Sequence, residues 1–456
     1  MDDLTSEMRR SMIDGSLKWY ITQEHIPQGQ SCGALRRWMR KEGLAVSFSG
    51  EKVKEIIERG TPATLYEKKR VLVLTPDATR SCPLPVMVRA VREVIGERAA
   101  KLDFMVAVGT HPVLSEKKIL DLYGMTPSSR KEKFGRSQFF CHRWDLPETF
   151  LRIGHLSEEE VERMSGGRLR EKVSIDINRR IYDYDLILIL GPVFPHEVVG
   201  FSGGAKYFFP GISGGELLHF FHWLAAVMTC KEIIGRKDTP VRQVIDKAME
   251  KIDIPVHCLA MVVKPGAGLY GLFAGEEKEA WSAAADLSAK VHIVVKKKPY
   301  RTVLGRAPEM YDEIWTAGKV MYKLEQVVAD NGKLIIYAPH IDRVSSTWGD
   351  YIEKIGYHVR DYFLSQMENF KDVPRGVLAH STHVCGTGIF QNGIEKPRIQ
   401  VVLATSIPRE KCEQINLGYM DPAEVRIADY MGKEDEGILY VDHAGEILYR
   451  LEEGCS

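Results

Sequence analysis

The sequence predicts an α/β protein of two domains, each with a mainly parallel sheet, and a cleft between the domains. Short apolar runs rich in Val, Leu and Ile alternate with segments of helical pattern, and this alternation indicates parallel strands covered on both faces. The 456 residues exceed what one ordinary core holds. Because the pattern restarts near Gly266–Gly271, we expect an N-terminal α/β domain at 1–275 and a C-terminal α/β domain at 276–456.

The elements follow from local pattern and capping residues. Ser115, for example, is placed to cap the helix that begins after it. In the first half we predict strands at 70–75, 103–108 and 184–190, and helices at 51–59, 85–99, 115–123 and 216–228. In the second half we predict helices at 276–290 and 311–330, strands at 291–295, 333–337 and 400–404, and a closing hairpin at 437–449 about an Asp442–Gly445 turn.

Composition excludes several classes of protein. Sixty-two basic and sixty-two acidic residues cancel, so neither nucleic acid nor an anionic membrane is expected as the main partner. The N-terminus lacks the apolar segment of a secretory signal, and no apolar run approaches the roughly 20 residues of a membrane helix. The eight cysteines contain no Cys-x-x-Cys pair, which argues against structural zinc and favours reduced thiols and a cytoplasmic enzyme.

Residues suited to chemistry follow three predicted strands. Asp77-Ala-Thr79-Arg80 follows the first strand and Gly109-Thr-His111 follows the second. An arginine presents a planar fork that matches a carboxylate, and an imidazole exchanges protons near neutral pH. Open α/β sheets bind ligands beyond the carboxyl ends of their strands. We therefore expect these segments to meet in one crevice.

A glycine-rich segment after the third strand carries the strongest signal. His196 lies ten residues before Lys206, and His222 lies sixteen residues after it. The loop Ser202-Gly-Gly-Ala205 immediately precedes the lysine. Glycines allow a backbone to approach a bound group closely, and their amides bind phosphate. A lysine in that place is suited to covalent attachment or to phosphate binding.

These segments resemble the nickel-dependent lactate racemase family. In that family the Ser-Gly-Gly-x-Lys lysine carries a covalently tethered nickel-pincer nucleotide, and a histidine sixteen residues later ligates the nickel. The resemblance assigns these roles to Lys206 and His222. It also implies that Arg80 binds the substrate carboxylate and that His111 and His196 are opposed acid/base groups.

The resemblance implies racemisation or epimerisation of a 2-hydroxy acid by hydride transfer to the tethered nucleotide. Two histidines suit this reaction because a planar ketoacid must be reached from both faces. We expect the nucleotide phosphate and ribose to be anchored by the Asp77–Thr79 loop and the Ser202–Ala205 amides. The partners implied are the small-molecule substrate and the cofactor maturation enzymes, and the sequence leaves a homodimer open.

In the second half, the segment containing Thr316 and Lys319 resembles the family's Leu-Tyr-Gln-x-x-Lys stretch, so Lys319 would orient the substrate. Thr316 replaces the family glutamine, and Ser81-Cys82 displace the proline that usually follows the arginine. Pro112-Val113 likewise replaces the Arg-Pro that often follows the family's Gly-Thr-His. Gly305-Arg-Ala-Pro308 also replaces a family Gly-Gly-Tyr-Pro stretch. The departures at residues 112, 316 and 305–307 favour a 2-hydroxy acid that is lactate-like or has a side chain larger than methyl.

Other interpretations remain open at this point. A 2-hydroxy acid dehydrogenase with a free nucleotide lacks support because no Gly-x-Gly-x-x-Gly follows the first strand. A zinc-type hydrolase using His196, His219 and His222 lacks a His-Glu-x-x-His motif. A non-catalytic cofactor- or metal-binding homologue is the third alternative. The roles of residues 1–60 and of His219, His380, His383 and Cys385 are unassigned.

Overall fold

The structure is a computed structural model that describes residues 19–20, 50–109, 111–264 and 268–452. Helices and strands alternate along most of this length, as the sequence pattern predicts. The strands are β1 Trp19–Tyr20, β2 Arg70–Thr75, β3 Lys101–Val106, β4 Phe139–Cys141, β5 Phe150–Leu156, β6 Val173–Asn178, β7 Leu186–Pro192, β8 Pro195–His196, β9 Gly200–Phe201, β10 Val256–Lys264, β11 Gly268–Glu276, β12 Ile293–Lys296, β13 Tyr300–Arg306, β14 Val328–Ala338, β15 Gly388–Gln391, β16 Ile394–Pro397, β17 Gln400–Thr405, β18 Gly418–Tyr419, β19 Ile438–Val441 and β20 Leu448–Leu451. The α-helices are α1 Gly50–Gly60, α2 Leu84–Ile95, α3 Glu116–Leu122, α4 Pro127–Phe134, α5 Glu158–Met164, α6 Gly215–Met228, α7 Cys230–Ile233, α8 Pro240–Met249, α9 Glu277–His292, α10 Ile314–Leu324, α11 Gly349–Ile355, α12 Arg360–Leu364, α13 Arg375–Cys385 and α14 Arg409–Gln414.

A seven-stranded sheet organises the first half, in the order β1-β11-β10-β7-β2-β3-β4. The strands from β10 to β4 are parallel to one another, and β11 is antiparallel to both β10 and β1. Alternate residues of β2 contact different cores: Val71 and Val73 face one, and Leu72 and Leu74 the other. Both faces are therefore covered, as near-continuous apolar strands require.

A second sheet has five parallel strands in the order β18-β17-β14-β13-β19. Its larger core includes Val303 and Leu334, and the same core takes in Trp223 and Ala226 of α6. Apolar packing therefore joins the two halves of the chain through this helix. The division into domains 1–275 and 276–456 stays a prediction.

The α/β class and the mainly parallel sheets are confirmed, with small shifts at the ends of elements. Helix α2 ends at Ile95 instead of residue 99, and α10 spans Ile314–Leu324 instead of 311–330. The guanidinium of Arg398 donates to the backbone oxygens of Glu325 and Val328. These bonds satisfy carbonyls at the end of α10, where the chain turns into β14.

The predicted closing hairpin at 437–449 is wrong. Strand β19 pairs in parallel with β13, whereas β20 pairs in parallel with β12 in a separate two-stranded sheet. Leu439 of β19 and Leu448 of β20 are both buried. Each strand therefore buries its apolar residues by packing with its own sheet, and the two strands do not pair with each other. The sequence reasoning also missed the antiparallel pair β10–β11. Among the described residues, no helix is long and apolar enough to cross a membrane.

Replacing Phe104 with alanine tests the packing of the first sheet. The Phe104 ring is fully buried and stacks on Phe139 with 5.4 Å between ring centroids. We expect Phe104→Ala to lower the free energy of unfolding by ~3–5 kcal/mol because it leaves a cavity. Leu151→Ala is the control, since Leu151 is 42% exposed; its cost should stay near ~0.5 kcal/mol. Urea denaturation of both variants is the measurement, and equal midpoints would contradict the packing described.

Candidate active site

A cavity of about 170 Å³ lies beyond the carboxyl ends of the central parallel strands. The segments that follow β2, β3 and β7 line it, and α6, α10 and α13 close it from the side. The lining residues already singled out from the sequence are Asp77, Thr79, Arg80, His111, His196, Ser202, Gly203, Lys206, His222 and Lys319. The structure thus brings together residues that are up to 242 positions apart, from Asp77 to Lys319. Of the other predicted residues, Gly204 and Ala205 lie in the adjoining loop outside this lining.

The loop after β2 carries a carboxylate that holds His111. Asp77 Oδ2 lies 2.5 Å from His111 Nδ1, and Asp77 Oδ1 accepts hydrogen bonds from the backbone and hydroxyl of Thr79. Burial acts to raise the pKa of Asp77, but the interactions with His111 and Thr79 outweigh it and hold that pKa below its ordinary value. Trp144 donates to the carbonyl of His111 at 2.8 Å. Asp77 therefore holds the ring of His111, and Thr79 in turn holds the carboxylate of Asp77.

The same loop is clamped by residues of the second half of the chain. Lys319 Nζ donates to the carbonyl of Thr79 at 3.2 Å. Glu446 accepts from the backbone and hydroxyl of Ser81 at 2.9 and 3.0 Å. Arg80 lies between these two attachments, so its position depends on both halves. Ser81 occupies the position after the arginine, where the family usually has proline. It thus has a hydrogen-bond partner of its own in Glu446.

His196 lies on the short strand β8 and lines the same cavity as His111. Its Nδ1 accepts a hydrogen bond from the backbone of Val198 at 3.1 Å. Burial lowers the pKa of His196 well below its ordinary value, and the cations of Lys206 and Arg80 act in the same direction. His196 is therefore neutral in this environment unless a carboxylate or ligand stabilises its charge.

Lys206 ends the glycine-rich loop with its amine in the cavity. Within the part of the chain that the structure describes, no hydrogen bond engages its Nζ. Burial, together with the charge of Arg80, lowers the pKa of Lys206 to about 8. An amine of that kind is a far better nucleophile near neutral pH than an ordinary lysine.

The amides of the glycine-rich loop are less free than the sequence suggests. Ser202 N donates to the carbonyl of Phe194, and Ala205 N donates to Glu277 Oε1. Gly204 has φ of +56°, and a Cβ at that position would collide with Glu277 and Trp281. These two amides are not available to a phosphate here, because their protons already have acceptors. Of the amides predicted to bind phosphate, those of Ser202 and Ala205 are therefore excluded, and the part of the loop around Gly203 remains a candidate.

His222 lies in the middle of α6 and lines the cavity. Its Nδ1 hydrogen bonds to the carbonyl of Leu218 at 2.8 Å, which leaves Nε2 with the free lone pair. Burial lowers the pKa of His222 to about 4, so the ring is neutral and able to bind a metal. Among the described residues, no group of three or more His, Cys, Asp or Glu side chains could hold a metal ion by itself.

The sequence reasoning missed several residues of this cavity, chiefly Trp315, Tyr322, His380 and His383. His380 stacks on Trp315 with 4.0 Å between ring centroids, and the hydroxyl of Tyr322 lies 2.9 Å from its Nδ1. These contacts form an aromatic wall. Spacing on α10 could have indicated Tyr322, which lies three residues after Lys319 on a similar helical face. Nothing in the sequence signalled that α13 packs against α6.

The other unassigned residues lie outside the cavity lining. His219 accepts a weak hydrogen bond from the backbone of Gly376 and contacts the edge of Trp348. Cys385 is buried in the core of the second half. His142 is fully buried and lies 3.0 Å from Nδ2 of Asn178. None of these three side chains lines the cavity.

Comparison with known proteins supports one family. Residues 48–233 match the lactate racemase N-terminal domain. The chain is 25% identical over 293 residues to the lactate racemase of Thermoanaerobacterium thermosaccharolyticum, covering 60% of this chain and 61% of that protein. It is 24% identical over 159 residues to the lactate racemase of Lactiplantibacillus plantarum, covering 34% and 32%. The chain thus spans less than two thirds of the length of the curated relatives it matches.

Solved structures extend the similarity to most of the fold. A protein from Thermotoga maritima superposes with a TM-score of 0.80 and 33% identity, covering 89% of this chain and 99% of that one. The lactate racemase apoprotein from Thermoanaerobacterium thermosaccharolyticum superposes with a TM-score of 0.66 and 18% identity, covering 87% and 93%. This second likeness establishes the α/β fold alone.

The reactivity of Lys206 in the unloaded protein is directly testable. Because its pKa is lowered to about 8, we expect the pH dependence of its labelling by acetic anhydride to have a midpoint near that value. Lys54 is the control, since its bond to Glu93 raises its pKa above the ordinary value. Peptide mass spectrometry after competitive labelling measures both. A common midpoint for the two lysines would contradict the environment described for Lys206.

Proposed function

Because residues 48–233 match the lactate racemase N-terminal domain and the chain is similar to curated lactate racemases, we propose that it racemises or epimerises a 2-hydroxy acid, either lactate or a relative with a larger side chain. One observation carries the proposal. A single cavity gathers a guanidinium suited to a carboxylate, one imidazole from the segment after β3 and one from β8, and an amine with no hydrogen-bond partner among the described residues. This set matches the needs of the reaction residue by residue.

The residues present fit a nickel-pincer nucleotide. Lys206 offers a nucleophilic amine for the covalent tether, and His222 offers Nε2 as a metal ligand. When bound, the nucleotide supplies the electrophilic acceptor to which the α-hydrogen moves as hydride. That chemistry is needed because the α-hydrogen is too weakly acidic for a protein base. The maturation enzymes that make and attach the nucleotide belong to the same proposal.

The protein's own residues bind the substrate and move its hydroxyl proton. Arg80 donates two parallel hydrogen bonds to the carboxylate. Burial and the charge of Arg80 lower the pKa of Lys319 well below its ordinary value, so its amine contributes a hydrogen-bond donor to the same region. In one direction of the reaction, one of His111 and His196 takes the hydroxyl proton of the first enantiomer, and the other, starting as an imidazolium, gives a proton to the oxygen of the opposite enantiomer. The two imidazoles exchange these roles in the reverse direction. The bond from Asp77 to Nδ1 of His111 leaves Nε2 for the substrate. Closure by α10 and α13 excludes water from the ketoacid.

Substituting Lys206 tests the tether. We expect Lys206→Arg, expressed with the maturation enzymes in nickel-containing medium, to lose the mass increase of several hundred daltons that the wild type acquires. Arginine keeps the positive charge but cannot form the covalent bond. Lys319→Met is the matched control and should retain the increase, because Lys319 is not the tether. Intact mass spectrometry measures all three proteins.

The lactate racemase of Thermoanaerobacterium thermosaccharolyticum, expressed in the same host, verifies that loading occurs. If that enzyme is loaded and the wild-type chain is not, the tether at Lys206 is refuted. A mass increase that persists in Lys206→Arg refutes it equally.

Substituting Arg80 tests recognition of the carboxylate. We expect Arg80→Lys to raise KM for the active 2-hydroxy acid about 10- to 100-fold, because one of two charge-assisted hydrogen bonds is lost. The nucleotide should remain attached, as intact mass would verify. Chiral chromatography of a panel of 2-hydroxy acids gives the substrate and its KM. An unchanged KM would contradict the proposed role of Arg80.

A further inference from the structure

Glu197 is a buried carboxylate that no step above uses. It follows His196 directly, lines the same cavity and is 9% exposed. Its Oε2 is buried and makes no hydrogen bond to any described residue, yet it lies 3.5 Å from Nδ1 of His196. Leaving an ionised carboxylate oxygen buried without a donor is costly. A buried carboxylate at this cost needs an explanation, and a role in the chemistry of the cavity would provide one.

The hydrogen bonds that His196 must make during proton transfer indicate a role for Glu197. In the structure Nδ1 accepts from Val198 N–H, so a neutral ring carries its proton on Nε2. To take a proton from a substrate hydroxyl, Nε2 must have a free lone pair, and the ring proton must then lie on Nδ1. To return that proton, the ring must be an imidazolium, again with a proton on Nδ1. Both states need an acceptor beside Nδ1, and an amide N–H cannot provide it.

The charges around the His196 ring also indicate that it needs a neighbouring carboxylate. Lys206, Arg80 and Lys323 face His196 as cations, and Glu197 is the carboxylate that opposes them. The same neighbours act on Glu197: burial raises its pKa, but His196 when it is protonated, Lys323 and Arg80 outweigh burial and hold that pKa below its ordinary value. Glu197 is therefore ionised, and its negative charge is what allows His196 to become positive among three cations.

We propose that Glu197 is a positioning residue for His196, accepting the Nδ1 proton at Oε2 so that Nε2 can exchange a proton with the substrate hydroxyl. The inference depends on the proposed function for the identity of that hydroxyl. Each opposed imidazole then has its own carboxylate, Asp77 for His111 and Glu197 for His196. The two pairs differ in the resting geometry: the first is in direct contact, whereas the second forms when the bond to Val198 is released.

The test measures the titration of His196 in the full-length protein without nucleotide. Deuterated protein with 15N-labelled histidine is titrated by NMR, and the His196 signals are assigned by their loss in His196→Asn. We expect Glu197→Gln to lower the titration midpoint of His196 by about one pH unit or more, because the variant keeps the shape and loses the charge. Glu197→Asp should recover part of the shift. Glu313→Gln, which removes another buried carboxylate, should leave the midpoint unchanged.

Kinetics on the loaded enzyme separate positioning from mere folding. We expect Glu197→Gln to reduce kcat at least tenfold with little change in KM, since Arg80 still binds the carboxylate. An unchanged His196 midpoint in Glu197→Gln overturns the inference, as does an unchanged kcat in a variant whose midpoint has moved. If the loaded wild type racemises no 2-hydroxy acid, the proposed function fails, and the titration alone decides whether Glu197 pairs with His196.

Discussion

The balance between buried cations and two carboxylates governs this cavity. Burying several positive groups together is unfavourable unless anions or ligands compensate them. Asp77 and Glu197 provide part of that compensation, and the remaining positive charge favours an anionic ligand such as a carboxylate or phosphate. Burial, together with the charges of neighbouring cations, lowers the pKa of Lys206 to about 8 and lowers the pKa values of His196 and His222 below the ordinary value of a histidine. Affinity for anions and reactivity of the amine thus have one physical origin.

The sequence could predict the part of the site that lies at strand ends. Strands such as β2 and β7 are apolar without interruption, and a parallel sheet brings their carboxyl ends to one edge. Asp77, His111 and His196 therefore meet for a reason that is visible in the sequence. The partners of those residues were not visible. Glu277 and Glu446 reach the site from distant segments, and only the packed structure shows which amides and hydroxyls they occupy.

Helix α6 explains why the second half of the cavity escaped prediction. It is apolar around nearly its whole circumference, as expected of a helix buried on all sides. Phe220 and Phe221 pack in the core of the first sheet, whereas Trp223 and Ala226 pack in the core of the second half. His222 lies between these two contacts. Only Glu216, His219 and His222 interrupt the apolar surface of this helix. Its apolar residues therefore give no periodic signal for a particular partner, and the approach of α13 could not be inferred.

Lys206 and Lys323 lie in the same region and have similar pKa values, but their amines have different surroundings. The pKa of Lys323, like that of Lys206, is lowered to about 8 by burial. Lys323 is 1% exposed, and its Nζ donates to the carbonyl of Pro195 at 2.5 Å. That bond fixes the residue immediately before His196 and places a cation beside Glu197. Because its amine is both enclosed and engaged, Lys323 is suited to holding the strand that carries His196. The proposed covalent attachment needs an accessible amine, and Lys206 offers one in the cavity.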